Sequence, residues 1–180
     1  MRSLAALPVL ILALAPNRAA ADVVDSSSNG FTVRTTLSIQ AAPEEVYRRI
    51  IHNTGDWWNP QHTFSGDSHN LSIEEKAMGC FCEKLPKGGS VRHMEVVFLA
   101  PGKAIRLTGA LGPLQAIAAG GSMTIQRSPA EGGTKLEVTY AVAGYLPAGM
   151  NTWATPVDNV LREQFTRLKD YIERGNPAPK

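Results

Sequence analysis

The chain has 180 residues, with 18 Lys+Arg against 16 Asp+Glu, 43% hydrophobic and 19% charged residues. That length suits one domain, the composition excludes wholesale disorder, and two cysteines cannot make a disulfide scaffold. Residues 1–21 hold Arg2 and Arg18 and no acid, so the other 159 residues carry 16 basic and 16 acidic side chains. A neutral body has no global electrostatic pull toward nucleic acid or anionic lipid, and no nucleic-acid partner is expected.

The first element is an export signal. Arg2 gives a positive start, Leu4 to Ala15 is an apolar run, and Ala19-Ala20-Ala21 supplies a small-residue cleavage site before Asp22. The run is too short for a bilayer of about 30 Å, which needs about 20 apolar residues. The expectation is a periplasmic or secreted protein, with no stable membrane insertion after cleavage. Residues 22–30 read as a flexible leader.

Phe31 to Gln40 alternates apolar and polar side chains, the mark of a half-buried strand. Pro43, followed by Glu44 and Glu45, starts a short helix with Val46, Tyr47, Ile50 and Ile51 on its apolar side. It ends near Asn53-Thr54-Gly55, and the chain turns away through Asp56-Trp57-Trp58-Asn59-Pro60. A polar stretch, 61–70, precedes six strand-like runs: Leu71–Ala77, Cys80–Leu85, Val91–Leu99, Ala104–Thr108, Ser122–Arg127 and Lys135–Val142. Pro- and Gly-rich turns separate most of them. The period then changes to 3.6. Thr155, Pro156 and Asp158 resemble a capping box, Val157, Leu161, Phe165, Leu168 and Ile172 form one stripe, and Gly175 stops the helix. Residues 175–180 read as a disordered tail.

The elements predict an α+β domain, a curved seven-stranded antiparallel sheet with a long C-terminal helix across its apolar face and two short helices after the first strand. A helix over a curved sheet leaves an apolar hollow, the usual place for a small ligand.

This order, over residues 31–174, resembles the START/Bet v 1-like (SRPBCC) superfamily with its helix-grip fold. W-W-N-P-Q-H-T-F-S-G-D at 57–67, G-C-F-C-E at 79–83, G-A-L-G-P-L-Q at 109–115 and G-T-K-L-E-V-T-Y at 133–140 look like its bacterial polyketide cyclase/dehydrase-like branch. The resemblance implies a cavity for a hydrophobic or amphipathic molecule, lipid-like or aromatic, with no universal catalytic residue and no cofactor. Trp57, Trp58, Phe64, Tyr140, Tyr145, Leu161 and Phe165 are the candidates to line it. The alternative is a cyclase, dehydratase or hydrolase using the same cavity, and some relatives bind other proteins. Ligand identity and oligomeric state stay open.

Cys80 and Cys82 share a strand face. Two regular rises put their α-carbons about 6.6 Å apart, near the upper limit for a disulfide, so the expectation is two shielded thiols. If Leu85 pairs Ser90, Cys82 opposes His93, Cys80 opposes Glu95, Glu83 opposes Arg92 and Phe81 opposes Met94. His93, Glu95 and Cys82 are then candidate catalytic groups, and Cys80, Cys82 and His93 a possible soft-metal patch. Which face is inside depends on the turn at Pro101-Gly102. His62, Asp67 and His69 match no metal motif, and their segment reads as a turn.

The intact mass of the mature protein is expected to correspond to a chain starting at Asp22; a chain retaining residues 1–21 in a membrane fraction would contradict the signal.

Overall fold

The computed structural model describes residues 20–177. One antiparallel sheet contains β1 (Ala20–Ser27), β2 (Gly30–Ile39), β3 (Leu71–Ile73), β4 (Cys80–Lys84), β5 (Ser90–Ala100), β6 (Ala104–Thr108), β7 (Ala118–Ala130) and β8 (Gly133–Tyr145). Helices α1 (Pro43–His52) and α2 (Thr54–Trp57) join β2 to β3, and α3 (Ala154–Arg174) follows β8. The fold class is α+β. No helix among the described residues is long and apolar enough to cross a membrane.

The strand order is β1-β2-β8-β7-β6-β5-β4-β3. From β3 to β8 each strand pairs with the next, as hairpins favour. The β2-to-β3 connection instead crosses from one side of the sheet to the far edge, and α1 and α2 carry it. α1 touches β3 and also β7 and β8, which lie four and five strands away, so the sheet curls around it. Helix α1 forms where Pro43 fixes its first turn, Glu44 and Glu45 complement the N-terminus, and Arg49 and His52 the C-terminus. It buries Val46, Tyr47, Ile50 and Ile51.

α3 packs mainly on β2 and β1. Leu161, Phe165 and Leu168 are buried, and Val157 and Ile172 half-buried, along one stripe. Gly175 ends the helix in a left-handed conformation, with its N–H donating to the Tyr171 carbonyl. The opposing sheet face supplies Leu136, Val138, Tyr140 and Val142 from β8 and Ile105 and Leu107 from β6, all buried.

Several expectations need correction. The sheet has eight strands rather than seven, because β1 occupies most of the segment that reads as a flexible leader. Its string A-A-D-V-V-D-S-S has no alternation. Val23 pairs Val33, Asp25 pairs Thr32, and Val24 bulges between them. Backbone pairing to β2, rather than burial, holds this edge, and Val23 and Val24 stay exposed. The cleavage site, Ala21–Asp22, falls within β1; residues 1–19 of the signal segment, and 178–180 of the tail, lie outside the described residues. β3 is only three residues long, while β7 runs well beyond 122–127 at both ends. Thr155 does not cap α3. The helix starts two residues earlier than that cap implies, at Ala154 after the 3-10 turn Met150–Trp153, and Asp158 is a buried residue in its first turns.

Phe165 is buried against Trp57, ring centroids 5.9 Å apart. Phe165→Ala is expected to lower unfolding free energy by about 3–5 kcal/mol in chemical denaturation; a loss near zero would mean that the α3 stripe does not form the core.

Candidate functional site

Because α3 lies toward β1 and β2, its first half stands off β4 and β5, and a cavity of about 240 Å³ opens there. Pro156, Val157, Val160 and Leu161 of α3 form one wall. Phe81 of β4, His93 of β5 and Tyr140 of β8 form the opposite one, and the segments Trp58–Phe64 and Leu111–Leu114 close the sides. Trp153 and Leu71 complete a lining that is mostly carbon.

The Trp58–Phe64 side is tied to the body at several points. Gln164, fully buried on α3, accepts from Asn59 N at 2.8 Å. Arg167 Nε donates to the Trp57 carbonyl at 2.9 Å, and Trp57 Nε1 donates to the Arg49 carbonyl at 3.0 Å. An aromatic chain then runs toward the cavity. Trp58 lies 5.5 Å from Trp57, Phe81 meets Trp58 edge-on at 5.6 Å, and His93 lies 5.2 Å from Phe81. Phe64 stacks on the other side of His93 at 5.9 Å.

His93 reaches the cavity because of a β-bulge. Phe81 pairs Met94, but Cys82 pairs Arg92, which leaves His93 as an extra residue on β5. A bulge breaks the alternation of faces, so consecutive residues His93 and Met94 are both buried. Beside it, β4 is pinched. Cys80 and Cys82 are disulfide-bonded, with α-carbons 5.3 Å apart instead of the regular spacing of about 6.6 Å. This corrects the expectation of two free thiols. Cys82 does not oppose His93, and neither cysteine is available as a nucleophile or a metal ligand. Among the described residues no group of three or more His, Cys, Asp and Glu is arranged to hold a metal ion. The question of the inward face resolves by division: Cys80 and Cys82 lie on the face opposite Phe81 and Glu83, while the bulge sends His93 inward. A second bulge at Val97 keeps Val96 opposite Leu107 and shifts Phe98 to Arg106.

Glu83, which a regular hairpin would place against Arg92, has no exposed area. Arg92 instead pairs with Glu95 at 3.0 Å. Glu83 accepts from Phe64 N at 3.1 Å, from Ser65 N, and from His93 Nε2 at 3.0 Å. Burial pushes the Glu83 carboxyl up, but the hydrogen bonds from Ser65, Phe64 and His93 outweigh it and hold the group below its ordinary value. Burial pushes the His93 imidazole down, against the opposing pull of Glu83. The pair is therefore a carboxylate and a neutral imidazole at pH 7. Nε2 carries the proton that Glu83 accepts, and Nδ1 carries the lone pair, met by the Gln115 amide nitrogen at 3.4 Å.

The structure brings Trp58, Phe64, Tyr140, Leu161 and His93 together around the cavity. Trp57 and Phe165 are buried behind it, in the core. Tyr145 is 72% exposed at the end of β8 and Glu95 is paired with Arg92, both outside the lining. The Tyr140 hydroxyl donates to the Gly109 carbonyl at 3.0 Å and accepts from Leu111 N at 3.1 Å. Burial pushes it up to about 12, so it remains a phenol that anchors the 109–111 segment. Glu83 is the residue that sequence reading passes over. Its signal is its parity with Phe81: if Phe81 points inward, so does Glu83.

No protein-family pattern and no curated protein matches the sequence. The fold does have counterparts among solved structures. A protein of uncharacterised function from Rhizobium leguminosarum superposes with a TM-score of 0.60 at 14% identity, over 88% of this chain and 99% of that one. CalU16 from Micromonospora echinospora gives 0.53 at 12% identity, over 88% and 87%. DynU16, from the dynemicin biosynthetic locus, gives 0.56 at 16% identity, over 81% of this chain and 48% of its own. At these identities the likeness is one of fold.

Both native values of the His93–Glu83 pair lie below the ordinary ones. The unfolded chain therefore binds these protons more readily. The stability they contribute is complete above about pH 6.5, the ordinary histidine value, and is lost as pH falls toward the native values. Denaturation midpoints are expected to fall between pH 7 and pH 4; a flat profile would show that neither group is coupled to folding. Glu83→Gln is expected to cost about 1–3 kcal/mol and to speed hydrogen exchange at the Phe64 and Ser65 amides.

Proposed function

We propose that this chain is an exported START/Bet v 1-like (SRPBCC) protein of helix-grip fold that holds a small hydrophobic or amphipathic molecule between its sheet and α3. The observation that carries the reading is the carbon-rich cavity of about 240 Å³ between those two elements. Its walls are aromatic and branched side chains, and hydrogen bonds to buried Gln164 and Glu83 hold the backbone of the segment that covers it. Apolar ligand area removed from water there contributes about 25 cal/mol per Å². The volume is below the 300–1,000 Å³ usual for drug-sized ligands, so the occupant is small. Shared fold with CalU16 and with DynU16 of a biosynthetic locus agrees with a ligand-holding fold. Export rests on the pattern of residues 1–21.

The second reading is an enzyme of the cyclase, dehydratase or hydrolase type in the same cavity. One observation favours it: the buried His93–Glu83 pair, a carboxylate orienting an imidazole whose other nitrogen keeps its lone pair and meets only the Gln115 amide, at 3.4 Å. Carriage and catalysis share the cavity and differ in whether the occupant leaves changed.

Protein purified from its own source is expected to show a bound small molecule in native mass spectrometry. Leu161→Trp, which fills the cavity with an indole, is expected to exclude it at an overpacking cost of about 1–3 kcal/mol. A bound mass that survives Leu161→Trp would place the ligand elsewhere.

A further inference from the structure

Most polar groups around the cavity are already engaged by the fold. Trp58 Nε1 donates to the His62 carbonyl at 3.1 Å, and the Tyr140 hydroxyl both donates and accepts. His62 Nε2 lies 3.2 Å from Glu163, and Thr63 Oγ1 donates to the Pro60 carbonyl at 2.7 Å. Gln61 is exposed and Trp153 half-buried. His93 differs from all of these. It is 5% exposed and sits in an apolar wall between Phe64 and Phe81. Its Nε2 is committed to Glu83, and its Nδ1 has only the long contact of 3.4 Å to Gln115. Gln115 is exposed on the short 3-10 helix Gly112–Ala116, so its amide can move aside.

We infer that the cavity takes a small apolar molecule bearing one acidic hydroxyl, of the phenol or enol class, which replaces Gln115 as the hydrogen-bond donor to His93 Nδ1. This rests on the reading of the cavity as a ligand site. The polarity of the selection follows from the tautomer. Nδ1 offers a lone pair and no proton, so it accepts from a hydroxyl and offers nothing to an ether, a ketone or a carboxylate. Acidity matters because of Glu83. A donated proton brings positive charge onto the imidazole, and the carboxylate on its far side stabilises that charge, so the better the donor the stronger the bond. Phe64 and Phe81 supply the flat apolar surface that an aromatic or conjugated ring needs. The disulfide-side bulge fixes the register that aims His93 here, so the acceptor belongs to the scaffold and not to a mobile side chain.

The test compares 2-naphthol with 2-methylnaphthalene, which have the same rings and differ in the one substituent. Isothermal titration of the wild-type protein is expected to show 2-naphthol bound about tenfold or more tightly, the worth of one hydrogen bond to a charge-supported acceptor. In His93→Phe the preference is expected to vanish or reverse, with 2-naphthol bound no more tightly than 2-methylnaphthalene, because its hydroxyl is then buried without an acceptor. A second measurement needs no variant. In protein carrying ¹⁵N-labelled histidine, bound 2-naphthol is expected to shift the His93 Nδ1 resonance away from the position of an unprotonated nitrogen, and 2-methylnaphthalene to leave it in place. Equal wild-type affinities, or an Nδ1 resonance unmoved by bound 2-naphthol, would overturn the hydroxyl inference while leaving the cavity reading intact. If neither compound binds, both fall.

Discussion

A carboxylate without solvent must find its hydrogen bonds inside the protein, and Glu83 finds three from two different parts of the chain. Two come from the backbone of the segment that covers the cavity, at Phe64 and Ser65, and one from the imidazole on the neighbouring strand. Removing any one of these donors leaves charge uncompensated in a low-dielectric place, where the penalty is large. Glu83 therefore sets the position of the covering segment, the tautomer of His93 and the stacking of Phe64 in one arrangement. The cavity has its shape because these three cannot move independently.

The arrangement is a poor device for stability alone. Replacing buried polar partners together by packed hydrocarbon of similar shape is often nearly neutral or stabilising, and the surrounding Trp58, Phe81 and Phe64 show that the chain has ample apolar side chains at hand. A second polar expense lies elsewhere. Arg127 is buried over the Tyr47 ring, 4.6 Å from guanidinium to centroid, and its guanidinium nitrogens have no hydrogen-bond partner among the described residues. There the attraction of cation to ring, and the charge of nearby Glu44, offset part of the burial. Arg127 does not line the cavity, whereas His93 does.

Much of the fold was legible because it is written in periodicity. The stripe Leu161, Phe165, Leu168 has helical spacing and is buried as spacing requires; Leu136, Val138, Tyr140 and Val142 alternate and face inward. What could not be read were the departures from period. β1 has adjacent valines and a bulge, so no pattern betrays an edge strand held by backbone pairing. The bulge at His93 changes partner and face together, and no single residue type announces it. Every assignment that assumed a regular β4–β5 hairpin failed past that point: Cys82 against His93, Glu83 against Arg92, and the two cysteines apart. Up to it, Phe81 against Met94 and Cys80 against Glu95 are found as a regular hairpin places them. In the cavity lining, Trp58, Phe64 and Tyr140 were among the expected residues, while Phe81 and Trp153 were not; the buried glutamate was not legible either, because an ion pair with Arg92 accounted for it whichever face was inside.

The Cys80–Cys82 bond encloses a single intervening residue, Phe81. A crosslink restricts the unfolded chain more the longer the loop it closes, with the logarithm of its length, and this loop is nearly the smallest a chain can make. Its effect on unfolding entropy is therefore small, quite unlike a bridge between distant strands. What it does hold is local shape. Phe81, the enclosed residue, touches both Trp58 and His93, so the bond acts as a clip on the outer face of the sheet whose grip is felt on the inner one. Reduction of such a clip belongs to the geometry of the cavity wall more than to the survival of the fold.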